Sequence, residues 1–251
     1  MPELLKRRLA EVQAALMLLT RLPAGRMKAP VPEAEAAWAF PLVGILAALI
    51  PAAVFWASFG VLPPFMAALL TLATGFLVTG GFHEDGLADM ADGFGGGWTR
   101  ERKLEIMRDS RIGTYGSLAL VTALALRACG IAAAPDAASG ALALIALGAA
   151  SRALVPLTIR LTPPARSDGL AAMASDVSWS RVLVSAGIGL GALLFLPGSL
   201  GLTLALIGAL VLAVFAVRWL SLRQIGGFTG DSLGATQQIG EIALWIVLAA
   251  Q

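Results

Sequence analysis

The chain has 251 residues, 58% of them hydrophobic and only 14% charged, with a net charge of +2. Soluble domains run at about 45–50% apolar and about 25% charged, so this composition excludes an ordinary soluble protein and describes a membrane bundle. So small a net charge gives no reason to expect a nucleic-acid partner, and the single cysteine, Cys129, excludes an intrachain disulfide or a cysteine-based metal site.

We therefore expect an all-α, polytopic integral membrane bundle forming one domain over residues 1–251. The N-terminal segment, residues 1–30, carries Lys6, Arg7 and Arg8, but Glu11 and Gln13 interrupt its apolar character, which argues against a cleavable signal. Leu5, Leu9, Val12, Leu16 and Leu19 fall at helical spacing. That stripe suits a helix lying in the membrane interface, or equally one packed on the bundle.

Seven apolar segments follow: Trp38–Phe59, Leu62–Thr79, Gly116–Ala134, Ser139–Leu161, Val182–Pro197, Leu200–Leu220 and Ile239–Ala250. We expect about seven transmembrane helices, the fifth and seventh being short against the roughly 20 residues of a full crossing. The connections Gly60-Val61, Pro135-Asp136-Ala137 and Gly198-Ser199 carry no Lys or Arg, whereas the others hold nearly all the positive charge. The positive-inside rule then places the N-terminus and the charged connections in the cytoplasm, and the protein in a bacterial inner membrane with the lipid bilayer around it. Cys129 lies in an apolar run and reads as a small buried hydrophobe. Arg127 and Arg152 fall inside spans. Such residues face the protein interior. Arg127 reads as structural and Arg152 as a phosphate clamp at the base of a cavity.

Three polar clusters belong to the cytoplasmic side. The first, Glu84-Asp85-Gly86-Leu87-Ala88-Asp89-x-x-Asp92-Gly93, opens the connection over residues 81–115. Asp85, Asp89 and Asp92 stand at i, i+4, i+7, one face of a helix that would continue the second span with its acidic side turned inward. Stacked like charges are relieved by a shared cation, and hard oxygen donors without thiols point to Mg²⁺, with Glu84 as a fourth candidate ligand. In the second cluster Arg108 and Arg111 suit a phosphate, Asp109 adds a metal ligand or orients an arginine, and Ser110, Gly113 and Thr114 complete a pattern that a plain membrane anchor does not need. The third, over residues 223–240, offers Thr229, Gly230 and Asp231 in a glycine-rich turn suited to an anion. His83 is the only histidine, which excludes a zinc site of several histidines. Together these clusters describe metal-assisted phosphoryl transfer at a membrane surface, with an aspartate taking the proton from an attacking hydroxyl.

The run Gly81-Phe82-His83-Glu84-Asp85-Gly86-Leu87-Ala88-Asp89-x-x-Asp92-Gly93-Phe94-Gly95-Gly96-Gly97, followed by Ile106-Met107-Arg108-Asp109-Ser110-Arg111-Ile112-Gly113-Thr114-Tyr115-Gly116, resembles the cobalamin synthase family, the adenosylcobinamide-GDP ribazoletransferases. Leu18-Leu19-Thr20-Arg21-Leu22-Pro23, Phe40-Pro41-Leu42-Val43-Gly44 and Thr229-Gly230-Asp231-x-Leu233-Gly234-Ala235 fit the same family in the same order. The resemblance implies a Mg²⁺-dependent reaction in which adenosylcobinamide-GDP and α-ribazole, or its 5′-phosphate, are joined and GMP leaves. On that reading Asp85, Asp89 and Asp92 hold metal on the diphosphate, Arg108, Arg111 and Arg152 bind phosphates, and Thr229 and Asp231 close the site. The CDP-alcohol phosphotransferases are the nearest alternative, but their motif places Arg after Ala, where this chain has Asp89 after Ala88. A transporter would need polar residues at mid-membrane in matching breaks of two halves. A homo-oligomer is left open.

Overall fold

The computed structural model describes residues 3–167 and 176–251. Met1 and Pro2 of the expected N-terminal helix, and part of the 162–178 connection, lie outside them. The described residues form helices α1 (Glu3–Leu19), α2 (Glu33–Ala36), α3 (Phe40–Ser58), α4 (Pro64–Thr79), α5 (Phe82–Gly96), α6 (Arg100–Ile106), α7 (Thr114–Ala132), α8 (Ala137–Leu161), α9 (Trp179–Leu193), α10 (Leu200–Ile225) and α11 (Gly230–Ala249). The all-helical bundle expected from composition is present.

Local chemistry sets the helix ends. Asp136 and Ser199 cap α8 and α10 by accepting the backbone N–H of Ser139 and Leu202. Gly226 ends α10 in the left-handed conformation. The decisive break is between α4 and α5. Gly80 and Gly81 both take positive φ, 70° and 71°, a conformation that costs other residues about 1–2 kcal/mol. Two in succession turn α5 by 93° from α4. Among the described residues, neither α4 nor α5 alone is long and apolar enough to cross a membrane. The expected straight continuation of the second span is therefore corrected to an elbow.

Each of the seven expected spans is helical, but among the described residues four helices are long and apolar enough to cross by length and composition, or five if the bent α4–α5 pair counts as one. At 16 residues, α4 reaches only about 24 Å. The 15-residue α9 is apolar but short. The seventh segment starts earlier than expected, at Gly230, and carries the buried polar side chains Thr236, Gln237, Gln238 and Glu241. The expected loop over 223–240 is thus mostly helix, with only residues 226–229 outside one. The connection over 81–115 is likewise built of α5, α6 and the start of α7.

Helices α3 and α8 cross closely at Gly44, where a Cβ would collide with the Gly148 carbonyl. Small residues at such crossings let membrane helices pack backbone to backbone. The central core gathers Phe55, Leu72, Ile131, Leu147 and Trp245, and a second core under α1 gathers Leu19, Phe40, Val43 and Phe228. The α1 stripe is divided: Leu19 packs on the bundle while Leu5 and Leu9 stay exposed. Cys129 is exposed rather than buried, on the outer face of α7 with Leu118 and Leu126.

Candidate active site

Glycines bring the acidic helix onto the start of α11. A Cβ on Gly86 would lie 2.8 Å from the Asp231 carbonyl oxygen, and one on Gly234 would lie 3.2 Å from that of His83. Backbone-to-backbone approach of this kind needs residues without side chains. It sets Asp231 beside Asp85 and Asp89. Burial first, and then the neighbouring carboxylates Asp85, Asp231 and Asp92, push the Asp89 carboxyl up to about 7.

Asp85 and Asp89 open into a cavity of about 610 Å³ between the end of α1, the α4–α5 elbow and α7. Thr20, Arg21, Thr79 and Ser110 supply its other hydrogen-bonding side chains beside Glu84, and Met17, Phe82 and Leu120 give it an apolar wall. Arg21 and Thr20 were not among the candidate site residues. Their signal was the Thr20-Arg21-Leu22-Pro23 run, legible as part of a motif but not as a ligand. The backbone N–H of Arg21 donates to the Val78 carbonyl at 2.7 Å, which fixes the residue against the elbow. Its guanidinium makes no hydrogen bond or ion pair within the described residues, leaving a cation close against Gly80 in the cavity that Asp85 and Asp89 also line.

The other candidates sort differently. Asp92 is buried and both its oxygens accept backbone N–H groups, from Gly113 at 2.7 Å and Gly116 at 2.8 Å. It caps α7 and complements the positive end of that helix, which makes it a helix anchor. Asp92→Asn would set an amide N–H₂ against one of those donors. A loss of about 1–3 kcal/mol in stability is expected, read as a lowered unfolding midpoint in detergent that added Mg²⁺ does not restore.

Glu84 borders the cavity, but its Oε1 is taken by Arg127 at 2.8 Å and Gln238 at 2.9 Å. Its Oε2 is buried with no hydrogen-bond partner among the described residues, so Glu84 is an ion-pair partner with one carboxylate oxygen left over. Arg127 also reaches Glu241 at 2.9 Å, the structural role expected of it. Arg152 is buried beside this network, donates to the Gly148 carbonyl at 3.0 Å, and does not line the 610 Å³ cavity. The phosphate-clamp reading of Arg152 has no support in that placement.

Asp109 and Arg111 grip each other, Nη2 to Oδ2 at 2.7 Å, and the arginine holds the Asp109 carboxyl at about 2. They sit at the rim with Ser110 between them. Arg108 and Thr114 are exposed outside the cavity wall. Thr229 is buried in a capping box with Ser232 and donates to Asp231 Oδ2 at 3.2 Å, while Gly230 opens α11. Thr229 therefore orients Asp231 rather than facing an anion. His83 is buried, edge-on to Phe82 at 5.4 Å.

Among the described residues no group of three or more His, Cys, Asp or Glu side chains is close enough to hold a metal ion. Of the sequence trio, Asp85 and Asp89 line the cavity, with Asp231 alongside. That smaller set still fits Mg²⁺, which takes one or two carboxylates and completes its shell with water and substrate phosphate. The raised Asp89 carboxyl marks the uncompensated negative charge that such an ion would relieve.

A family model described as cobalamin-5-phosphate synthase matches residues 11–249. Curated relatives named adenosylcobinamide-GDP ribazoletransferase include one from Bradyrhizobium diazoefficiens, 46% identical over 99% of this chain and 96% of its own. One from Azorhizobium caulinodans is 47% identical over 94% and 93%, and one from Mesorhizobium japonicum 45% identical over 95% and 92%. No solved structure matches.

Proposed function

This chain belongs to the cobalamin-5-phosphate synthase family, and from that membership we propose that it joins adenosylcobinamide-GDP to α-ribazole, or α-ribazole 5′-phosphate, with release of GMP. The observation that carries the reading at the site is the 610 Å³ cavity lined together by Asp85, Asp89 and the unpaired Arg21. Asp85 and Asp89 would hold Mg²⁺, which supplies charge neutralisation at the diphosphate when bound. Arg21 binds phosphate oxygens as a planar donor, and the Ser110 hydroxyl adds one hydrogen bond from the rim. A ribose hydroxyl of the acceptor forms a bond to the phosphorus that carries cobinamide, and the bond from that phosphorus to GMP breaks. The hydroxyl proton passes to an aspartate of the Asp85, Asp89 and Asp231 group.

The site faces the cytoplasm from the bacterial inner membrane. Supporting this, the site end of the bundle bears Arg100, Arg111, Arg166 and Arg218, while the connections at the far end carry no Lys or Arg. Purified protein given adenosylcobinamide-GDP and α-ribazole is expected to release GMP. Excess chelator should cut the rate to below about 1%, and Mg²⁺ should restore it. Undiminished activity in chelator would remove the metal. Reaction with a CDP-activated lipid and an alcohol, but not with the cobinamide pair, would replace the substrate assignment.

A further inference from the structure

A second pocket lies away from the acidic helix, where α1, the start of α3 and α9 meet. It measures about 210 Å³ and is lined by Arg8, Trp38, Ser180, Arg181 and Val184. Its charges are fixed from beneath. Glu11 is fully buried, accepts the Trp38 indole N–H at 2.6 Å, and pairs with Arg8 at 2.7 Å and Arg7 at 3.3 Å. Glu35 pairs with Arg7 at 2.9 Å and Arg181 at 4.0 Å. Three guanidiniums thus meet two carboxylates, and the cluster keeps an excess positive charge.

The donors are preorganised. The Arg8 guanidinium lies over the Trp38 ring at 5.6 Å, and Arg181 is steered by bonds to the Glu35 carbonyl and the Ser178 hydroxyl. Ser178 begins α9 without making a side-chain cap bond, so the first turn beside Ser180 adds backbone N–H groups that no side chain caps. Trp179 in that turn and Leu183 and Val184 in the next are about half or more exposed, all apolar and on one side of α9. Trp38 and Trp179 mark this level as a membrane interface, the position tryptophan favours.

A positive, hydrogen-bonding pocket that continues into an exposed apolar stripe matches a molecule with an anionic head and a hydrocarbon tail. We propose that the pocket binds the phosphodiester headgroup of an anionic phospholipid, whose acyl chain lies along Trp179, Leu183 and Val184. The site is separate from the 610 Å³ cavity and does not depend on the reaction carried out there.

Native mass spectrometry of the detergent-purified protein, titrated with phosphatidylglycerol, tests this. One phosphatidylglycerol should be retained in preference to phosphatidylcholine. Arg181→Gln should weaken that binding about fivefold, as expected for one cation at an anionic headgroup. Ser180→Asp should weaken it at least as much, and an acidic residue in the first turn favours the helix, so the fold is preserved. Equal retention of phosphatidylcholine would overturn the proposal. So would unchanged binding by both variants, or full displacement of the lipid by inorganic phosphate, which would make the pocket a soluble-anion site.

Discussion

Replacing Asp89 by asparagine is expected to cut GMP release by about 1,000-fold or more, the scale set by losing a group that stabilises developing charge in a water-poor site. The bundle should survive the change. Asn has the same shape, and Asp89 makes no hydrogen bond that anchors a helix, in contrast to Asp92. Stability should even improve at high pH. Without a bound cation the Asp89 carboxyl sits at about 7 in the folded protein against an ordinary value of 3.8, so between those values the folded state holds more protons than the unfolded one. Wild-type stability therefore falls as pH rises through that window, and the contribution is absent from the variant. Thermal unfolding in chelator at pH 4 and pH 8, beside a turnover assay, reads both effects. A variant with normal turnover would show that Asp89 is no metal ligand. A variant that loses activity together with stability would place Asp89 with Asp92 as an anchor.

That contrast shows what spacing can and cannot convey. The i, i+4, i+7 pattern put three aspartates on one face of a helix, and they do share one face. Spacing says nothing about what packs against each turn. Asp92 meets the start of α7 because Gly113 and Gly116 leave room for its carboxylate, contacts that join residues more than twenty positions apart. The spans were legible because apolar runs report burial in lipid directly. The elbow was less so: two adjacent glycines in an apolar run are common in membrane helices, and only the observed backbone angles separate a bend from a packing contact. The last helix starts earlier than hydropathy suggests because Gln237 and Gln238 break the apolar run before Ile239, yet both are buried against partners from other helices. Arg21 was missed for a related reason. One arginine after an amphipathic helix looks like a surface anchor until the elbow is seen to fold back over it.

The same buried partners set the largest stability effect. Arg127→Met is expected to cost about 3–5 kcal/mol, because it removes one cation from between two carboxylates and leaves both in the interior. Glu84 and Glu241 come from α5 and α11, and Arg127 from α7, with Gln238 accepting a further bond at 3.1 Å. The ion pair therefore ties the acidic helix to two others beneath the cavity floor. Arg127→Lys should cost less, since charge is kept while the two-pronged geometry is lost. Adding Glu241→Gln to Arg127→Met should recover part of the loss by removing one stranded charge, a non-additivity that a double-mutant cycle reads directly. Thermal unfolding of the wild type, the three single variants and the double variant in one detergent gives the energies, and hydrogen exchange shows whether α5 loosens first. If Arg127→Met melts with the wild type, or if the double variant is no more stable than the single, the three residues do not act as a unit. The placement of Asp85 and Asp89 would then rest on the Gly86–Asp231 and Gly234–His83 contacts alone.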